Sequence, residues 1–455
     1  MARAVFCLVL LFYCLLPAVS SGQTIINEAV EVRLSNGLKV ILLENNKAPM
    51  VSFQVWYRAG ARGERVGKTG LAHLLEHMMF KGTQKVSGED FTRIVSESGG
   101  EENAFTSHDF AGYFETLNAE HIGVSIALES DRMSNLVLRE SDFMTERMVV
   151  IEERRMRVDD NPRTALTEQL DAAAYQSQPY HRPVVGWMDD IGRITLDDVR
   201  SFYADYYNPG NAFIVVVGDF RKDALIPELE KAFGSIPSPP VPERYSIKDP
   251  PQQGERRIRV ERPSQLGLLS AGYHVPNLSE PDAYVLEVIR AILSGGKSSR
   301  FYDRLVRKGL VLEAAAEYLL VSQDPGLFYT TVAYLPDKDA AEVEKALHAE
   351  MELLKSVPVE SRELEKAKNQ LEAEFVFDQD ALFSLGLFLA SYEIASSWRD
   401  VGKYIPSIRR VTPEDIQRVA ARYFVPGNRT VGVLVPSGPA EEAPPPPPAG
   451  MKMIR

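Results

Sequence analysis

Three residues capable of metal and acid–base chemistry, His73, Glu76 and His77, lie within the stretch LAHLLEHMMFKGT, residues 71–83. The stretch otherwise has the composition of an apolar helix, on which the two histidines lie about 40° apart and all three side chains share an arc of about 100°. Two neutral imidazoles one turn apart can hold a tetrahedral Zn²⁺ and leave room for a third ligand and a water. Because such a metal lowers the pKa of water toward ~7, Glu76 can act as a general base. The alternative is an amphipathic helix whose histidines merely lie at the edge of a core.

A third ligand is predicted in the stretch TERMVVIEERRMRVDDNP, residues 145–162, which reads as a helix. Glu146 and Glu153 are seven positions apart and therefore face the same way within about 20°, whereas Glu152 points elsewhere. An acidic pair is usually a solvated face. Beside the apolar run 148–151, however, these carboxylates are suited to act as one metal ligand and one partner of a ligand.

The elements that must position these residues belong to a chain that repeats itself. Val411 lies 217 positions after Ile194, and Asn428 lies 217 positions after Asn211. Each copy has a threonine as helix N-cap, a helix, a Pro-Gly turn and an apolar strand. We predict an α+β fold of two homologous α/β domains, each a mixed sheet packed with helices, that form a clamshell. The expected organisation is a catalytic domain over 24–235, a Pro-rich linker over 236–256, a second domain over 257–437 and a Pro-rich tail over 438–455.

The N-terminus and the composition indicate an exported protein. Residues 1–20 have the basic, apolar and small-residue regions of a signal peptide, with an uncleaved anchor as the alternative. Both cysteines, Cys7 and Cys14, lie in this segment, so the mature chain has neither a disulfide nor a thiol nucleophile. The formal net charge of −12 and the absence of a basic, aromatic-rich stripe argue against nucleic acid as a partner. No later segment is apolar enough for a membrane anchor, and the periplasm is the expected compartment, with secretion as the alternative.

Four motifs resemble those of the pitrilysin/insulinase (inverzincin) zinc metallopeptidases, in particular bacterial two-domain members similar to the mitochondrial processing peptidase. HLLEHMMFKGT resembles the family's catalytic helix, and ERMVVIEERRMR resembles its third-ligand helix. ENAFTSHDFAGYFETL resembles its substrate-pairing edge strand, and LSGGKSSRFYDRLV resembles a motif of its second domain. The similarity extends from about Asn27 to Val435.

The resemblance implies a site that holds one zinc ion per chain. Its metal ligands would be His73, His77 and Glu153. Glu76 would be the general base, and Glu146 would be the carboxylate that supports the ligands.

The resemblance also implies where a peptide substrate binds. Asn103, Ala104 and Phe105 would line a strand to which the peptide adds by main-chain hydrogen bonds. Without the family this segment is an ordinary strand. His108 matches no motif, and we expect it to be structural.

The second half should have no metal site of its own. The offset of 217 places Arg290, Leu293 and Ser294 at the positions of His73, Glu76 and His77, and none of these residues can replace its counterpart. Gln370 takes the position of Glu153 and is a weak ligand at best. We expect this half to form the other wall around the substrate.

The predicted function is zinc-dependent endopeptidase activity on peptides or unfolded segments. One alternative is a catalytically weak or inactive structural or assembly subunit of a two-subunit peptidase. Another is a zinc-binding or chaperone-like module, in which Glu76 would be superfluous.

The resemblance further implies a partner. In self-sufficient relatives the second domain offers an Arg and a Tyr to the substrate carbonyl, whereas alignment here places Val306 and Leu312 at those positions. We therefore expect a heterodimer with a related chain that lacks H-x-x-E-H, or failing that a homodimer. A shifted register that uses Arg304, Arg307 or Tyr318 is the alternative.

Overall fold

Two mixed β-sheets packed with helices make up the protein, as the predicted α+β class requires. The computed structural model describes residues 25–243 and 247–438. The expected signal peptide and the Pro-rich tail from residue 439 onward lie outside the described residues. Within the described part, we find no helix with the length and apolarity needed to cross a membrane.

The first half contains a six-stranded sheet in the order β1-β2-β6-β3-β5-β4, in which β2 and β6 are parallel and the other neighbours are antiparallel. Its strands are β1 (Val30–Arg33), β2 (Lys39–Glu44), β3 (Met50–Tyr57), β4 (Glu101–Thr106), β5 (Ala111–Asn118) and β6 (Ala212–Gly218). Its helices are α1 (Leu71–Met79), α2 (Gly88–Glu97), α3 (Ile122–Asn135), α4 (Glu140–Arg154), α5 (Pro162–Ala174), α6 (Met188–Arg193), α7 (Leu196–Tyr206) and α8 (Lys222–Phe233).

The second half contains a five-stranded sheet in the order β7-β11-β8-β10-β9, with β7 and β11 parallel. Its strands are β7 (Arg256–Arg262), β8 (Gly267–Val275), β9 (Glu313–Tyr318), β10 (Gly326–Tyr334) and β11 (Arg429–Pro436). Its helices are α9 (Asp282–Ser294), α10 (Ala340–Ser356), α11 (Ser361–Phe377), α12 (Leu382–Ala395), α13 (Tyr404–Arg410) and α14 (Pro413–Tyr423).

The two halves have the same topology, as the internal repeat predicts. The order β2-β6-β3-β5-β4 of the first sheet corresponds to β7-β11-β8-β10-β9 of the second. The predicted N-cap threonines are also equivalent, because Thr195 and Thr412 each form a capping box with the aspartate three residues later. Asp198 and Asp415 are these aspartates.

Each sheet is covered on one face by a helix of the other half. Helix α12 of the second half packs against β3 and β6, whereas α5 of the first half packs against β7, β8 and β11. Strand β6 is buried at every position because helices cover both faces of its sheet. Because α12 packs against the sheet of the first half as well as its own half, it is apolar around most of its circumference.

One predicted helix has different boundaries in the structure. The segment expected as a helix over 145–162 begins earlier, at Glu140, and its α-helical part ends at Arg154. A π-helical turn, Arg155–Asp159, follows, and Asn161 then caps a new helix that starts with Pro162. Because proline disfavours α conformation in the residue before it, the chain breaks here rather than continuing.

Candidate metal centre

Helix α1 carries the H-x-x-E-H residues on a face turned toward the interior. His73 and Glu76 are buried, and the ring centroids of His73 and His77 are 4.9 Å apart. The helix starts after Gly70, whose positive φ of 89° brings its backbone against Val185. A side chain at position 70 would strike the Val185 carbonyl, so glycine is required at this point.

A buried carboxylate supplies the N-terminal cap of α1. The two oxygens of Glu64 accept hydrogen bonds from the backbone N–H groups of Gly70 (3.0 Å) and Ala72 (2.8 Å). Burial raises the pKa of Glu64 to about 8. Sequence reasoning missed this residue because Glu64 lies six positions before the N-cap residue Gly70, and such a distant cap follows no local capping pattern.

Helix α4 packs against α1 and brings the third donor to the histidines. Oε2 of Glu153 lies 3.3 Å from Nε2 of His77 and 3.7 Å from Nε2 of His73. One ligand atom from each of these three residues lies within 4.8 Å of the others. Glu146 lies one heptad earlier and also faces His77, whereas Glu152 is exposed and pairs with Arg155.

These three donors fit a zinc ion. Zinc bonds of 2.0–2.1 Å in tetrahedral geometry separate ligand atoms by about 3.4 Å, close to the spacing of Glu153 Oε2 from the two imidazole nitrogens. Two histidines and one glutamate are also a known ligand set of catalytic zinc, which leaves a fourth position open. Among the residues that the structure describes, no other histidine, cysteine or acidic cluster has this arrangement.

His77 is held in place by a chain of charged groups. Its Nδ1 lies 3.1 Å from Oε2 of Glu146, and the other oxygen of Glu146 accepts a hydrogen bond of 2.6 Å from Nζ of Lys81. Burial opposes a charge on His77, but its bonds to Glu146 and Glu153 outweigh burial and raise its pKa to about 9. The contact with Glu146 directs Nε2 of the ring toward Glu153, as in metal-binding histidines supported by a carboxylate.

Glu76 has the surroundings expected of a general base. Its side chain is buried, and Oε2 has no hydrogen-bond partner among the described residues. Burial raises the pKa of this carboxyl group. Glu76 also lines a cavity of about 310 Å³ together with His73, His77 and Glu153, so its carboxyl group lies beside the candidate metal ligands, as a general base requires.

The predicted substrate strand lies beside this cavity. Strand β4 pairs with β5 on one side and forms the edge of the sheet, so its outer side is free of strands in the described structure. Ala104 and Phe105 line the cavity. Asn103 lines a neighbouring groove of about 710 Å³, which adjoins the cavity at Phe80.

The remaining residues singled out in the sequence lie away from this cluster. His108 is structural in its contacts, because its Nε2 lies 2.9 Å from the carbonyl oxygen of Arg182. In the second half, Arg290 pairs with Glu287 at 2.7 Å, and Ser294 bonds the carbonyl oxygen of Ala316 at 3.0 Å. Leu293 is buried in the core. Gln370 bonds Glu374 at 3.0 Å, so these four residues form no second metal cluster in the part of the chain described.

Comparisons with known proteins found two matching family models and related proteins. Residues 39–186 match the family model described as Insulinase (Peptidase family M16), and residues 193–371 match the model described as Peptidase M16 inactive domain. The chain is 32% identical over 420 residues to a Helicobacter pylori protein named zinc protease PqqE, a match that covers 91% of this chain and 94% of the relative.

Solved structures show the same fold. The crystal structure of a protease from Helicobacter pylori superposes with a TM-score of 0.86 at 32% identity, covering 90% of this chain and 99% of that one. The periplasmic protease PqqL from Escherichia coli gives a TM-score of 0.72 at 17% identity over 90% of this chain and 47% of PqqL. At that identity the second likeness concerns the fold alone.

Proposed function

The chain belongs to the insulinase-type M16 peptidase family, and from this premise we propose that it is a zinc-dependent endopeptidase acting on peptides or unfolded segments. The observation that carries the proposal is the placement of His73, His77 and Glu153 around one point, with Glu76 lining the same cavity. The names of relatives as zinc proteases support it.

In this mechanism His73, His77 and Glu153 would hold one zinc ion, and Glu146 orients His77. Zinc would supply Lewis-acid polarisation of the peptide carbonyl and lower the pKa of water. Glu76 accepts the proton that the attacking water loses and returns it to the nitrogen of the leaving amine. The outer edge of β4 offers main-chain groups to an extended peptide, and Asn103, Ala104 and Phe105 are the positions along which it would pair.

The test separates metal binding from hydrolysis. Purified protein should carry about one zinc ion per chain and cleave a casein-derived or fluorogenic peptide library, and a chelator should abolish cleavage. Glu76→Gln should retain the zinc and lose hydrolysis, because the base is removed while the ligands remain. His77→Ala should lose both. Wild-type rates of cleavage by Glu76→Gln would show that the mechanism is wrong.

A catalytically weak or inactive subunit of a two-subunit peptidase is the second candidate. It is favoured by one observation: every residue that lines the cavity in the described structure lies between His73 and Val185, so the second half contributes none. We propose a paralogous subunit without the zinc motif as the partner that completes the site, with a homodimer as the fallback. Zinc binding without any cleavage in the library assay would support the inactive subunit.

We further propose that the chain is exported to the periplasm, with secretion as the alternative. Support comes from the signal-peptide pattern of residues 1–20. We expect N-terminal sequencing of the protein from its native host to begin near Ser21. A mature protein that starts at Met1 would contradict export by this route.

A further inference from the structure

One guanidinium group borders the candidate metal centre. In the described structure Arg157 is the single lysine or arginine that lines the cavity with His73, Glu76 and His77. It lies in the π-helical turn that extends α4, a rare conformation that occurs frequently at functional sites. Its side chain lines the cavity and is 57% exposed, so the guanidinium is not enclosed by other protein groups.

Arg157 contacts one carboxylate oxygen of Glu153, and the other oxygen faces the histidines. Its Nη1 lies 2.8 Å from Oε1 of Glu153, whereas Oε2 of the same carboxylate faces the two histidines. The contact fixes the carboxylate so that one oxygen is left for a metal. Because a guanidinium has five N–H donors in a fixed planar arrangement, binding one carboxylate oxygen leaves others for a second acceptor.

The second half provides no such donor to this cavity. The residues aligned with the expected Arg and Tyr are Val306 and Leu312, and neither side chain can donate a hydrogen bond. The three donors considered for a shifted register have partners within the second half: Arg304 pairs with Glu350, Arg307 pairs with Asp303, and the Tyr318 hydroxyl donates to the carbonyl of Pro276. Arg157 is therefore the cation positioned to meet negative charge that develops in the cavity.

We propose that Arg157 is a catalytic residue that donates a hydrogen bond to the carbonyl oxygen of the scissile peptide, an inference that rests on the proposed function. As water adds to the carbonyl carbon, its proton passes to Glu76, and the electron pair of the C=O bond moves onto the oxygen that Arg157 contacts. Arg157 transfers no proton itself, because a guanidinium remains protonated in proteins. Donors aimed at this oxygen act where the charge develops, which makes them more effective on the transition state than on the substrate.

The experiment compares Arg157→Gln and Arg157→Lys with Arg155→Gln, a matched control two residues away that pairs with exposed Glu152. We expect Arg157→Gln to keep about one zinc ion, to lower kcat by about 10²–10³ and to leave KM nearly unchanged. It should weaken binding of a phosphinic peptide, which mimics the tetrahedral carbon, by a similar factor. Binding of the parent peptide, measured in a Glu76→Gln background, should change little. Arg157→Lys should recover part of the loss, and Arg155→Gln should match wild type.

Three results would overturn the inference. Loss of zinc from Arg157→Gln would show that Arg157 acts only through Glu153. Unchanged kcat would show that it has no role in the reaction, and equal weakening of both peptides would show that it binds the ground state. The proposed function is judged separately by hydrolysis in the wild type. If the wild type cleaves no peptide, the affinities of wild type and Arg157→Gln for a phosphinic casein-derived peptide still decide whether Arg157 contacts the mimic.

Discussion

At the scale of single residues, the candidate site is held together by groups outside the H-x-x-E-H motif. Lys81 follows the motif by four residues and pairs with Glu146, which in turn contacts His77. Burial raises the pKa of Glu146, but its hydrogen bonds to His77 and Lys81 prevail and lower it overall. Glu146 is therefore an anion that accepts the Nδ1 proton of His77, so Nε2 is the nitrogen that a metal would bind once it displaces the proton there.

This role predicts the effect of removing the charge of Glu146. We expect Glu146→Gln to weaken zinc affinity about 10–100-fold, because an amide holds the imidazole less firmly than a carboxylate. Competition with a chromophoric chelator measures the dissociation constant. Glu152→Gln is the control on the same helix, since that side chain is exposed and directed away from the cluster. Equal zinc affinities for the two variants would rule out this role for Glu146.

The sequence allows the metal cluster to be predicted more fully than its support. His73, Glu76 and His77 share a helical arc, and heptad spacing puts Glu146 and Glu153 on one face, but the choice of Glu153 as the ligand comes from the family resemblance. The contacts of Glu64 and Lys81 could not be predicted, because they depend on how α1 packs against its neighbours. The sequence contains one indication that Arg157 contacts Glu153: it lies four residues later, which is the spacing of an ion pair on a helix.

At the scale of elements, one helix of each half packs on the sheet of the other half. The N-caps of α7 and α14 that the internal repeat predicts are confirmed. The packing of α12 and α5 on the sheet of the other half could not be predicted from the sequence. An all-round apolar helix such as α12 must be buried, but its pattern does not identify the surface that buries it.

A buried ion pair fixes α12 on the sheet of the first half. Glu393 is 3% exposed, and its Oε1 lies 2.6 Å from Nζ of Lys39 and 2.7 Å from Nη2 of Arg58. The two cations are themselves only 18% and 24% exposed. Removing the shared anion would therefore leave two positive charges close together in a poorly solvated place.

We expect Glu393→Gln to lower the free energy of unfolding by about 2–3 kcal/mol, less than the 3–5 kcal/mol of a fully buried pair because water reaches both cations. Urea unfolding monitored by circular dichroism provides the measurement. Glu342→Gln, at an exposed position of α10, should stay within about 0.5 kcal/mol of wild type. If both variants unfold like wild type, the ion pair does not anchor α12.

At the scale of the whole molecule, duplication has produced two equivalent folds and one candidate site. The second half retains the sheet order of the first, while Arg290, Leu293, Ser294 and Gln370 remove its metal chemistry. Its structural contribution in the described residues is nevertheless large, because α12 covers a face of the first sheet. The second half therefore keeps the fold without the ligands, since packing depends on the helices and strands and not on the site.

The proposed partner chain gives a further prediction at the scale of the whole molecule. The resemblance to the family implies that self-sufficient members aim two donors of the second domain at the substrate carbonyl, and it aligns Val306 and Leu312 with those positions here. Because losing one such donor costs about 10²–10³ in rate, the chain alone should turn over slowly, with Arg157 as its remaining donor. Adding a paralogue from the same genome that lacks H-x-x-E-H should raise kcat by at least about 10² without changing zinc content.

Light scattering should then show a one-to-one complex between the two chains. A homodimer predicts instead that specific activity rises with the concentration of this chain alone. Full activity of the isolated chain, unaltered by the paralogue and independent of concentration, would show that no partner completes the site.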